Sequence, residues 1–178
     1  LLIFLLFVKS KKSFYLLTGL GYISLSLGLL VQLRFQSLLL PLALILFIWI
    51  NDTMAYISGS FIGKTPFAPH ISPKKTWEGT IGGIICSLLF VLLWAVFTRT
   101  YTIAQWIGIG CIASIVGTIG DLVESKLKRM AGVKDSGNMM PGHGGALDRF
   151  DSLLLAAPIA FLFALFFMQC LEVNLFGK

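Results

Sequence analysis

Asp121, Glu124, Ser125 and Lys128 stand at i, i+3, i+4 and i+7, so a helix through them lines two carboxylates, a hydroxyl and an ammonium along one face. A charged helix extending into water has the same pattern, and the spacing alone leaves both readings open. Beyond it, Lys134-Asp135-Ser136-Gly137-Asn138 breaks the helix, and Pro141-Gly142-His143-Gly144-Gly145 forms a loop whose glycines let a ligand approach the backbone closely. Asp148 and Asp151 follow, three residues apart, at the start of an apolar run. They suit the dipole of a helix start, or they join Asp121 in holding a cation. Carboxylates with a single local histidine and no cysteine favour a hard cation such as Mg²⁺ over zinc. Lys, Arg and glycine-rich backbone nearby favour a phosphate ligand. Together these groups point to metal-assisted phosphoryl or nucleotidyl transfer. No Gly-x-x-x-x-Gly-Lys-Ser/Thr sequence occurs, which excludes a P-loop enzyme.

The elements that must position this chemistry are membrane helices. The chain is 57% hydrophobic, with mean hydropathy +0.89 and 12% charged residues, which excludes an ordinary soluble domain. Apolar runs at 14–33, 38–50, 80–97, 102–120 and 152–171 approach the ~20 residues a bilayer helix requires. They predict an all-α, polytopic integral-membrane bundle with about five complete transmembrane helices, folded as one catalytic domain over 1–178. Loops are expected near 63–79 and 122–151. No period-2 alternation supports a β-barrel. The first eight residues are too few to span and lack the basic stretch of a signal peptide, so they read as a stump of helix from a longer protein.

Alternate loops carry eleven and three of the fourteen Lys and Arg residues, which puts the richer set, including 63–79 and 122–151, in the cytoplasm. The net charge of +6 sits at membrane borders, so anionic headgroups account for it more simply than nucleic acid. Cys86, Cys111 and Cys170 lie in apolar runs without metal-type spacing and read as packing residues. Gly110, Ala113, Ser114 and Gly117 provide small residues for close helix packing. Trp49, Trp94 and Trp106 read as core or interfacial residues.

Two further groups converge on the same side. Asp52 lies about 13 residues into its run, or ~20 Å at ~1.5 Å per residue, and a carboxylate at that depth faces a polar cavity or a partner helix. Asn51, Thr53 and Tyr56 add polar groups beside it. The segment Gly63 to Gly79 holds three of the six prolines and so reads as a constrained loop. Thr76 is placed to cap the next helix, and Lys74 and Lys75 beside that helix start suit a phosphate as well as a topology signal.

These motifs resemble the phosphatidate cytidylyltransferase (CDP-diacylglycerol synthase) family. The matching signature runs from Ser125 through Lys128-Arg129, Lys134-Asp135, Pro141, His143-Gly144-Gly145 and Asp148-Arg149-x-Asp151, about 27 residues. Asn51-Asp52-Thr53-x-Ala55-Tyr56 and Ser72-Pro73-Lys74-Lys75-Thr76-x-Glu78-Gly79 resemble two further family motifs in the expected order. Met140 and Ala146 depart from the usual Leu or Ile, which changes packing rather than chemistry. The family carries additional N-terminal helices, in keeping with a stump at Leu1.

The resemblance implies that CTP and phosphatidic acid give CDP-diacylglycerol and pyrophosphate with Mg²⁺ required, in phospholipid synthesis. It implies a homodimer surrounded by membrane lipids, with its active site on the cytoplasmic side of the cell membrane. Asp121 and Asp148 are then expected to hold the cation, with Asp52, Asp151 and Glu124 as outer or additional ligands that leave room for a second cation. Lys128, Arg129 and His143 are expected at the reacting phosphates. Ser72, Lys74, Lys75, Thr76, Ser125, Lys134, Gly144, Gly145 and Arg149 are expected to bind the nucleotide. A CTP-dependent kinase of polyprenols or other lipid alcohols is the rival enzyme, and it would release CDP instead of pyrophosphate. An ion-coupled transporter is the rival of another class, and the chain lacks the inverted repeat that would support it.

Overall fold

The computed structural model describes residues 11–133, 136, 137, 145 and 147–168. It contains five helices long and apolar enough to cross a membrane. They are α1 (Lys11–Gln36), α2 (Leu39–Ile62), α3 (Trp77–Thr98), α4 (Ile103–Met130) and α5 (Leu147–Met168). The architecture is therefore the all-α integral-membrane bundle expected from the apolar runs. The residues before Lys11, and Cys170 near the other end, lie outside the described part, as do Met140 and Ala146.

Three boundaries differ from the expected ones, and each matters to the site. Helix α2 does not stop near residue 50 but continues through Asn51-Asp52-Thr53 to Ile62. Asn51 is buried here and finds a partner on another helix in Thr118. Helix α4 continues past Gly120 to Met130, which turns the first part of the expected 122–151 loop into helix. The expected loop at 63–79 contains an antiparallel hairpin, β1 (Pro66–Ala68) with β2 (Ser72–Thr76), and then the first turn of α3. Prolines are tolerated at such short edge strands because they need not donate to a ladder.

Helices α2 and α3 form the most extensive pair, and the reason is a run of small residues. A Cβ on Gly83 would lie 2.7 Å from the Asn51 carbonyl oxygen, and one on Gly79 would lie 2.7 Å from the Ala55 carbonyl oxygen. Only glycine lets the two backbones approach this closely. Helix α5 packs against α1 and against the second half of α4. There Gly120 is pressed against the Asp151 carbonyl oxygen, 2.9 Å from where its Cβ would stand.

At the end of the bundle away from the hairpin, Phe47, Trp94 and Trp106 meet edge to face with centroids 6.0–6.2 Å apart. Trp106 and Phe47 are fully buried there. Edge-to-face aromatic contacts of this kind add to the apolar burial that fixes α2, α3 and α4.

Helix α4 is not regular. Ile112–Val116 form a π turn, flanked by hydroxyls that bond back one turn: Ser114 Oγ donates to the Gly110 carbonyl at 2.9 Å, and Thr118 Oγ1 to the Ser114 carbonyl at 2.7 Å. One extra residue in a turn rotates everything beyond it by ~100°. The π turn thus sets which way Asp121 and its neighbours face.

Replacing Gly83 by Ala is expected to lower the thermal midpoint of the detergent-solubilised protein, since backbone on α2 must give way. Gly28→Ala, at a position with nothing within 4 Å of the new methyl, should leave the midpoint unchanged or slightly raised. A thermal ramp read by size-exclusion chromatography checks both.

Candidate active site

Hydroxyl, carboxylate and ammonium groups from five elements, α2, β2, α3, α4 and α5, meet at one cavity of ≈ 1170 Å³. Its polar wall carries Asp52 from α2, Lys74 and Lys75 from β2, Asp121 and Lys128 from α4, and Asp148, Arg149 and Asp151 from α5. Its apolar wall carries Ile45, Ile48 and Trp49, up to two turns from Asp52 on the same helix, and Leu153. Trp49 was expected to be merely core or interfacial, and it also lines this cavity.

The hairpin is what brings Lys75 here. Glu78, in the first turn of α3, accepts the N–H groups of Lys64 and Thr65 at 3.2 Å and the Thr65 hydroxyl at 2.7 Å. Trp77 N–H donates to the Thr65 carbonyl at 3.0 Å, and the rings of Phe67 and Trp77 pack edge to face 4.3 Å apart. Thr76 caps α3 as expected, its hydroxyl oxygen accepting from Gly79 N–H at 3.2 Å. Folded back in this way, β2 delivers Lys75 onto Asp121 Oδ2 as an ion pair.

The face predicted by helical spacing on α4 is present. Ser125 Oγ donates to Asp121 Oδ1 at 3.1 Å. Lys128 Nζ reaches Asp148 Oδ1 at 2.6 Å and Glu124 Oε1 at 3.4 Å. Asp148 Oδ2 accepts two backbone N–H groups, from Gly145 at 2.8 Å and Ser136 at 2.9 Å. Gly145 is buried against Ser136 and Gly137, where a Cβ would lie 2.2 Å from Ser136 Oγ. Its place in the sequence motif is thus accounted for by close packing behind Asp148. Asp151 Oδ1 accepts the Ser152 N–H.

Asp52 accepts from Asn51 Nδ2 at 3.4 Å, and the same amide donates to Thr118 Oγ1 at 3.3 Å. Thr118 was not singled out in the sequence. It lies three residues before Asp121 on the same helix, and the i, i+3, i+7 series through Thr118, Asp121 and Ser125 is the signal that would have found it.

Other expected site residues are placed elsewhere. Glu124 is buried behind Lys128 and does not line the cavity. Arg129 was expected at the phosphates, but its Nε donates to the Ile71 carbonyl at 3.4 Å and its Nη1 to the Val133 carbonyl at 3.3 Å, tying α4 to the hairpin turn. Ser72 and Ser125 support the wall without facing the cavity. Lys134, Asp135, Pro141, His143 and Gly144 lie outside the described residues.

The donor chemistry fits a hard divalent cation. Four carboxylates face one cavity, and no cysteine or histidine among the described residues lines it. Among the described residues no three Asp, Glu, His or Cys side chains already encircle a point, and two of the four carboxylates hold ammonium groups instead.

A family model described as "Cytidylyltransferase family" matches residues 2–167. The chain belongs to this cytidylyltransferase family. Among curated relatives it is 43% identical over 157 residues to the phosphatidate cytidylyltransferase of Staphylococcus saprophyticus, 41% over 157 residues to that of Staphylococcus aureus strain COL, and 40% over 156 residues to that of Staphylococcus epidermidis. Each alignment covers 85% of this chain and 60% of the relative, so the chain spans about 60% of the length of the curated relatives it matches.

Arg129 thus acts as a tether between α4 and the hairpin turn. Arg129→Ala removes a tether worth about 1 kcal/mol from the hairpin. Hydrogen–deuterium exchange should then quicken in residues 66–76 while the amides around Phe47 and Trp106 keep their protection.

Proposed function

We propose that this protein, as a member of its family, transfers the cytidylyl group of CTP to phosphatidic acid, giving CDP-diacylglycerol and pyrophosphate at the cytoplasmic border of the membrane. The observation that carries this reading is the two-sided cavity. One wall is apolar and lies along membrane helices, which suits acyl chains. The other is dense in carboxylates and ammonium groups, which suits a nucleotide and a divalent cation. The volume exceeds the ~300–1,000 Å³ of a typical single-ligand pocket, in keeping with two substrates.

The phosphatidate phosphate is already anionic near neutral pH, so its attack needs no strong general base. One of its oxygens forms a bond to the α-phosphorus of CTP, and the bond from that phosphorus to the β-bridging oxygen breaks in line. Pyrophosphate departs. Lys74, Lys75, Lys128 and Arg149 line the cavity and are the groups that would neutralise the phosphates. Asp121 and Asp148, with Asp52 and Asp151 on the same wall, are the groups that would hold Mg²⁺, which when bound offsets charge on the phosphate oxygens. The protein's own contribution is positioning: fixed charges on three helices and a hairpin, arranged before substrate arrives. A homodimer and bound membrane lipids belong to the same reading and rest on the family resemblance.

Membranes bearing the intact protein, given α-labelled CTP and phosphatidic acid, should place label in the lipid with release of pyrophosphate. Label leaving as CDP with phosphate on a lipid alcohol would establish the kinase chemistry instead. Asp121→Asn and Asp148→Asn should each lower turnover roughly 100-fold or more. Near-normal turnover in either variant would remove that residue from the cation site.

A further inference from the structure

The two ion pairs in the cavity share an arrangement that a permanent structural salt bridge does not require. In each, the shortest bonds from neutral donors go to one carboxylate oxygen while an ammonium takes the other. Asp121 gives Oδ1 to the Ser125 hydroxyl and Oδ2 to Lys75. Asp148 gives Oδ2 to the N–H groups of Gly145 at 2.8 Å and Ser136 at 2.9 Å, and Oδ1 to Lys128 at 2.6 Å, with the Ser136 N–H shared to Oδ1 at a longer 3.3 Å. Removing the ammonium would therefore leave each carboxylate oriented, with one oxygen facing the cavity. The lysines also sit at the edge of solvent: their side chains are 27% and 16% exposed, and all four charged groups line the cavity.

Lys128 has a second partner. Glu124 is buried, lies outside the cavity wall, and among the described residues has no hydrogen-bond donor for either carboxylate oxygen apart from the Lys128 ion pair at 3.4 Å. It can keep the ammonium at the cavity edge after Asp148 is taken by something else.

We infer that Lys75 and Lys128 are exchangeable counter-ions, which neutralise Asp121 and Asp148 until a divalent cation takes those carboxylates, and which then turn to the phosphates of the anionic ligand. This rests on the proposed function for the identity of that ligand, though not for the exchange itself. Exchange conserves charge, since a dication enters as two ammonium groups leave. By reciprocity, whatever draws the lysines off the carboxylates strengthens cation binding, and the cation strengthens phosphate binding to the same degree. Lys74 provides the comparison. It is exposed on the same strand and the same cavity wall, but it is paired with no carboxylate among the described residues.

The test uses Mn²⁺ alone as probe, titrated into the intact protein in lipid nanodiscs and read by electron paramagnetic resonance, with no substrate present. Lys75→Met and Lys128→Met should each tighten Mn²⁺ binding roughly fivefold or more, while weakening CTP binding measured separately. Lys74→Met should change Mn²⁺ binding less than about twofold, because an unpaired solvated charge acts only through screened distance. Lys75→Arg and Lys128→Arg, which keep the charge and grip a carboxylate with two parallel donors, should weaken it. Unchanged or weaker Mn²⁺ binding in the methionine variants overturns the inference. So does an equal gain in Lys74→Met, which would reduce the effect to net charge. Should a methionine variant fail to fold, Mn²⁺ binding by its arginine counterpart at or above the level of the unaltered protein has the same force. If the exchange holds but no label passes from CTP to lipid, the proposed reaction fails while the inference stands.

Discussion

Everything in this molecule is arranged around a charge that ought not to be there. Four carboxylates, Asp52, Asp121, Asp148 and Asp151, face one cavity at the end of an apolar bundle. Like charges gathered near a low-dielectric region repel strongly unless something of opposite sign is close. In this structure Lys75 and Lys128 supply it, one from a hairpin and one from the same helix as Asp121. The site is thus held together by pairs, which on the proposed reading also keep it receptive to a cation. A cavity of this kind needs a rigid frame, and the frame is visible in the glycine contacts of α2 with α3 and of α4 with α5.

The path from sequence to site runs through local geometry. The hydroxyl back-bonds of Ser114 and Thr118 accompany the π turn, and the π turn sets the phase of the face that carries Asp121 and Lys128. The carboxylate of Glu78 closes the 64–65 loop, which lets β2 double back and reach α4. Arg129, adjacent to Lys128 in sequence, points the other way and fastens the hairpin turn. Neighbouring basic residues therefore do different work, one at the cavity and one outside it.

Much of this was legible in the residues themselves. Helical spacing exposed the face Asp121, Glu124, Ser125 and Lys128, because 3.6-residue periodicity survives in any environment that keeps the helix. The Thr76 cap was legible because a hydroxyl before an apolar run has few other uses. What was not legible depends on contacts distant in the chain. Asp52 was placed at membrane depth by its position in the run, but the bond from Asn51 to Thr118 joins residues 67 apart in the chain. The pairing of Lys75 with Asp121 requires a hairpin of three and five residues, too short and too rich in proline to announce itself. The direction of Arg129 follows from where the hairpin turn lies, which no spacing rule encodes. Membership of the cytidylyltransferase family was legible from the motif residues, and it agrees with the match over 2–167.

In the proposed function, carboxylates from different helices share one ion. Anomalous diffraction from crystals of the intact protein grown with Mn²⁺ and CTP measures this directly. A single strong peak within bonding distance of both Asp121 and Asp148, with the Lys75 and Lys128 ammonium groups turned toward phosphate, is the expected result. A peak remote from both residues, or the two carboxylates directed into separate compartments, would contradict it.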